Sequence, residues 1–86
     1  MKEIIKDNLS FVFYEMETQL DVARYYPSNG LSYEDHMAQI REFIVDAEEY
    51  GLAYEYTSGA LENLPFRVSG QAAVKLLEAG GLMGFK

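Results

Sequence analysis

Cysteine is absent from these 86 residues. That excludes a disulfide staple, a thiolate nucleophile and a thiolate zinc site. Histidine occurs once, as His36. A metal site built on it would need further ligands at suitable spacing, and its neighbours Glu34 and Asp35 point to different helix faces. His36 is therefore expected as a solvated surface residue. No G-x-G-x-x-G or G-K-[ST] pattern is present, so the glycines supply no phosphate loop or dinucleotide turn. No apolar run approaches the ~20 residues of a membrane span. The opening residues, Met1 to Asp7, hold no apolar signal core, which leads us to expect a cytoplasmic protein not exported by the usual route.

Catalysis finds little footing in what remains. The serines are Ser10, Ser28, Ser32, Ser58 and Ser69. A single histidine cannot act as base for several of them, and Ser32 and Ser69 have ready roles as helix caps. Carboxylate neighbours such as Glu48-Glu49 do acid–base chemistry only in a cleft that separates their pKa values. On a small helical surface they are expected to form a solvated face. No metal, nucleotide or other cofactor is expected, and no enzymatic activity.

What the chain has is acid, tyrosine and a helical apolar rhythm. Fourteen acidic against seven basic residues give a net charge of −7. Such a surface repels nucleic acid and anionic lipid and attracts a basic protein. It also serves simply to keep a small domain soluble. Hydrophobic residues make up 49% of the chain, enough for one core, so a single domain spanning residues 1–86 is expected. A chain this short buries only about 60% of its unfolded surface.

The spacing predicts an all-α protein, a compact bundle of about four helices joined by short loops. The first helix, near 2–24, is read from Ile4, Ile5, Leu9, Val12, Phe13, Met16, Leu20 and Ala23. Pro27-Ser28-Asn29-Gly30 makes a turn. The second helix, near 32–50, starts at a Ser32 cap with Glu34 and Asp35 at its positive end. Its stripe is Met37, Ile40, Phe43, Ile44 and Ala47, and Gly51 is read as its left-handed stop. The third helix, near 53–63, carries Ala53, Tyr56, Ala60, Leu61 and Leu64. Leu52–Thr57 alternates as a strand would, but a lone strand has no partner. Gly59 is read as a point of close helix approach. Ser69 caps a fourth helix near 69–79 with face Ala72, Ala73, Leu76 and Leu77. Gly80-Gly81 is read as its stop, and Leu82, Met83 and Phe85 as a tail folding under the core. The expected core centres on Val12, Met16, Ile40, Phe43, Ile44, Leu76 and Leu77.

Seven tyrosines suit an interface, because tyrosine joins apolar area to a polar tip at low entropy cost. About half of them are expected to close the edge of the core instead. Six of the ten residues from Asp46 to Glu55 are acidic or tyrosine. The candidate partner-binding surface is therefore Asp46, Glu48, Glu49, Tyr50, Tyr54 and Glu55, with Tyr25, Tyr26 and Asp35 as a second patch. A competing location is the first helix around Glu15, Glu17 and Asp21.

The stretches Glu48-Glu49-Tyr50-Gly51-Leu52-Ala53-Tyr54-Glu55, Leu61-Glu62-Asn63-Leu64-Pro65, Val68-Ser69-Gly70-Gln71-Ala72-Ala73 and Gly81-Leu82-Met83-Gly84 resemble the pattern of the MafI-type immunity proteins. That pattern is similar in turn to the small helical immunity proteins of contact-dependent growth inhibition (CdiI-like). It is an acidic E-Y-G-L-A turn between helices, an L-E loop, a Ser- or Thr-capped helix and a short apolar tail. It covers about the last forty residues. Asp21 with Tyr25-Tyr26-Pro27 is similar to the tyrosine-tyrosine-proline stretch of the colicin nuclease immunity proteins, though placed much earlier in the chain. Both resemblances imply an inhibitor that binds a basic toxin nuclease domain, for the MafI type including EndoU ribonucleases. Neither implies nucleic-acid or membrane binding. A small acidic adaptor, or a phage-type inhibitor acting as a nucleic-acid mimic, is the alternative on charge and size. The sequence leaves the oligomeric state open.

Overall fold

The computed structural model describes residues 1–85; Lys86, the last residue of the expected 1–86 domain, lies outside the described residues. Four α-helices follow one another: α1 Lys2–Glu17, α2 Tyr33–Arg41, α3 Tyr50–Asn63 and α4 Gly70–Leu82. A 3-10 helix, Leu20–Tyr25, joins α1 to α2, and a π-helical turn, Glu42–Asp46, extends α2. No strand occurs among the described residues, so Leu52–Thr57 is helical as expected.

α1 is the central element. Its inward face carries Ile5, Leu9, Val12, Phe13 and Met16, at the three- and four-residue steps of a helix with one buried side. Leu9, Val12 and Met16 are fully buried against Ile40 and Ile44 of the second helical stretch and Ala53 of α3. Asn8 interrupts this face. It is buried, and its amide donates to the Lys75 carbonyl at 3.1 Å and to Glu78 Oε1 at 2.8 Å. Farther along α1, Glu15 reaches Ser69. As α1 advances from Asn8 to Glu15, its partners on α4 retreat from Glu78 to Ser69, so the two helices run antiparallel.

Several boundaries differ from the sequence reading. The first helix stops at Thr18, short of residue 24. Gln19 holds the break: its amide nitrogen donates to the Glu15 and Arg67 carbonyls at 2.9 and 2.6 Å, and its oxygen accepts from the Arg67 amide at 2.8 Å. The redirected chain buries Val22 and leaves Leu20 69% exposed. The second helix does not reach residue 50. It ends in the π-helical turn, and the left-handed residue there is Glu48, at φ 53, not Gly51. Gly51 lies in the first turn of α3, which therefore begins at Tyr50. α4 runs through Gly80-Gly81 to Leu82, and the left-handed glycine is Gly84, at φ 84.

The core of α4 is also turned relative to expectation. Ala72, Ala79 and Gly80 are buried, Leu76 is half-buried, and Leu77 is 68% exposed. Small residues face inward because α4 lies close against α1, and Gly80 receives the Tyr54 ring, whose Oη would stand 2.7 Å from any Cβ built there. Gly59, expected to serve such an approach, has nothing within 4 Å of its Cβ position. Phe43 is half-buried rather than central, its ring edge-on to Tyr56 at 5.1 Å.

Candidate functional site

The stretch from Glu42 to Glu55 holds most of the expected contact residues, and the local backbone explains how they are displayed. The Ala47 amide bonds the Glu42 carbonyl at 2.9 Å, which closes the π-turn, and the Glu49 amide bonds the Phe43 carbonyl at 2.8 Å. Between them Glu48 adopts the left-handed conformation, unfavourable for any residue with a Cβ. Backbone outliers and π-turns concentrate where a side chain is held for use. The result is a tight, outward turn with Asp46, Glu48 and Glu49 exposed on it and Glu55 exposed one turn into α3.

Tyr50 does not belong to that surface. It is buried at 9% exposure within the core. Tyr54 is half-buried, seated on Gly80 with its ring 5.2 Å from Phe85. The apolar anchors beside the carboxylates are instead Val45 and Leu52, 47% and 40% exposed. Glu42 joins the acids. These three were missed in the sequence reading. For Glu42 and Val45 the signal was the run Glu42, Val45, Asp46, Glu49, which steps by three, one and three as one helical face does; Leu52 carried no such signal.

The carboxylates of the turn differ in how far they are engaged. Glu48 pairs with Lys2 at 3.0 Å; the hydrogen bond and charge of that ammonium hold its carboxyl below the usual range. Glu42, Asp46, Glu49 and Glu55 make no ion pair among the described residues.

The competing site on the first helix is arranged otherwise. Glu15 Oε2 accepts from Ser69 Oγ at 2.6 Å and Oε1 from the Ser69 amide at 2.8 Å, which lowers its pKa. Glu17 accepts from Arg41 at 2.8 Å. Asp21 receives both terminal nitrogens of Arg67, at 3.1 and 3.3 Å, and its pKa falls for that reason. Each acid there already holds the fold together.

The second patch is split. Tyr25 is 53% exposed, but the Arg24 guanidinium lies 5.2 Å over its ring and bonds its hydroxyl at 3.2 Å. Asp35 is exposed at the start of α2, its amide bonded to the Ser32 cap at 3.1 Å. Tyr26 turns inward, and its hydroxyl meets His36 Nδ1 at 2.8 Å. Burial raises the Tyr26 pKa to about 12. His36 is accordingly not the solvated residue expected: it is half-buried between Tyr26 and Tyr56, 5.6 and 6.0 Å from their rings, and burial lowers its pKa.

No cluster of three or more potential metal ligands and no pocket occurs among the described residues, and no helix is long and apolar enough to cross a membrane. No protein-family model, curated protein or solved structure matches this chain.

Proposed function

We propose that this chain is a cytoplasmic immunity protein that binds a basic toxin nuclease domain through the Glu42–Glu55 turn and covers its phosphate-binding surface. The observation that supports this most directly is the contrast between two acidic regions. Glu15, Glu17 and Asp21 are committed to Ser69, Arg41 and Arg67. Four acids of the turn are exposed and free of ion pairs among the described residues. Exposed Val45 lies between Glu42 and Asp46 in the chain and exposed Leu52 between Glu49 and Glu55, so apolar positions alternate with free acids, a composition suited to a protein contact. The resemblance of this same stretch to the MafI-type turn agrees with the reading and favours an EndoU-type ribonuclease as the target.

A nuclease holds its substrate with lysine and arginine, and carboxylates on a projecting turn offer those cations charge-assisted hydrogen bonds in place of phosphate. The net charge of −7 steers the encounter. The aliphatic pair excludes water from the charge contacts.

The test is binding to the toxin domain encoded beside this gene, with two variants of equal charge change. Asp46→Lys with Glu49→Lys alters the turn; Asp7→Lys with Glu62→Lys alters exposed acids elsewhere. Close interfacial charge pairs couple by about 1.5–7 kcal/mol, so the turn variant should weaken binding by at least about 100-fold. The other variant should lose only the salt-dependent part of its association rate. Equal losses in both would leave a non-specific charge effect and refute the site.

A further inference from the structure

α4 has a face that nothing else in the described structure covers. Val74 and Leu77 are 64% and 68% exposed, and Gly70, Ala73 and Gly81 are exposed on the same side. Gly70, Val74, Leu77 and Gly81 follow one another at steps of four, three and four, the spacing of a helix–helix seam. In size the order reads small, large, large, small, and it is the same in both directions. A two-fold contact has this requirement, because each residue must meet on the partner the residue that meets it in return. Two copies of α4 laid antiparallel satisfy it: Val74 faces the partner's Leu77, and Gly70 faces the partner's Gly81.

Charge also selects a second copy as the occupant. The chain as a whole carries −7, so most approaches between copies are repelled. From Val68 to Phe85 the only charged residues are Lys75 and Glu78, which cancel. In the antiparallel seam Gln71 comes beside the partner's Glu78. Glu78 takes the Asn8 amide on Oε1, which leaves its second oxygen for the glutamine. A basic partner would find only Glu78, offset by Lys75.

We propose that α4 is the contact between two copies of this chain, paired antiparallel about a two-fold axis between Lys75 and Leu76. The pairing uses no residue of the acidic turn and stands apart from the proposed function. A seam of 13 residues is about 20 Å long. It buries less than the ~1,200–2,000 Å² of a standard interface, so the dimer is weak and concentration-dependent.

Sedimentation equilibrium tests it, between about 10 μM and about 1 mM protein, at low salt and at ~0.5 M salt. The mean mass should climb toward that of two chains as concentration rises. It should climb further at high salt, where the repulsion is screened. Leu77→Lys and, separately, Val74→Lys should stay monomeric with an unchanged circular dichroism spectrum, since both positions are exposed. The absence of cysteine provides a geometric test. A Cβ at Gly70 or Gly81 meets nothing within 4 Å. Gly70→Cys mixed with Gly81→Cys should form a mixed disulfide, whereas Gly70→Cys alone should not, its two thiols being about 16 Å apart along the seam. A constant monomer mass across the range would overturn the proposal. So would a dimer indifferent to both lysine variants, or equal cross-linking of Gly70→Cys with itself.

Discussion

Replacing Gly80 by alanine sets two effects of opposite sign against each other. Alanine is favoured over glycine inside a helix by about 0.8–1.0 kcal/mol. The new Cβ, however, would stand 2.7 Å from Tyr54 Oη and 2.9 Å from Cε2 and Cζ of the same ring. Carbon contacts are comfortable only at about 3.5–4.0 Å. The Tyr54 ring is rigid and tilted against Phe85 at 5.2 Å, so it must swing as a body and disturb that contact. Overpacking of this kind costs about 1–3 kcal/mol. Gly80→Ala should therefore destabilise by about 1 kcal/mol on balance. With Tyr54→Ala already in place the obstacle is gone, and the same change should stabilise by about 1 kcal/mol. The coupling between the two sites is then about 2 kcal/mol, well above the scatter of a double-mutant cycle. Gly59→Ala is the control: it sits within α3 with nothing near its Cβ position, and it should stabilise by about 1 kcal/mol in either background. Urea unfolding followed by circular dichroism reads all of these as midpoint shifts at constant slope. If Gly80→Ala raises the midpoint equally with and without Tyr54, the close contact between α3 and α4 does not exist as described.

Leu9→Ala should cost about 2–5 kcal/mol while Leu77→Ala stays within about 0.5 kcal/mol, measured by the same unfolding assay at low protein concentration; equal losses would show that α4 is turned the other way. Ser69→Ala should cost more than Ser32→Ala, up to about 2 kcal/mol against about 1. Both serines cap a helix, but only Ser69 also binds Glu15. Because burial lowers the His36 pKa, the folded state favours the neutral ring. Its contribution is fully present above the unfolded value of about 6.5 and declines as pH falls from there toward the folded pKa. Glu15, Asp21 and Glu48 have lowered pKa values, so their share is lost only as pH falls through the carboxylate range. Denaturant midpoints between about pH 7.5 and 5.5 should thus drop for the native chain and stay flatter for His36→Asn.

The parts of the fold that local rules govern were readable from the residues. Ser32 and Ser69 each accept the amide three residues on, as helix-capping serines do. Val12, Met16, Ile40 and Ile44 are buried where the stripe put them. What could not be read has non-local causes. Nothing near Thr18 breaks a helix; the break depends on Gln19 finding the Arg67 backbone 48 positions away. Gly51 and Gly80 looked like stops because glycine often is one, yet neither adopts a left-handed conformation, and Glu48 does. α4 carries apolar residues nearly all round, so hydrophobicity alone cannot say which side faces α1. For the candidate surface, the acids were located by density, but burial of Tyr50 and the exposure of Leu52 follow from the π-turn and the left-handed Glu48 after it, which no local pattern announced.

The pairing of α1 with α4 also sets the order of events during synthesis. Asn8 must wait for Lys75, 67 residues later, before its amide is satisfied. At about 5–20 residues per second on the ribosome, that is a delay of about 3–13 s. Helices form in about a microsecond, so α1 can sample its shape long before it has its cover. A lone helix of this length is marginal in water, and throughout the delay Leu9 and Val12 have no α4 beside them. The apolar face of α1 therefore stays without its α4 cover until residues 70–82 have emerged as well.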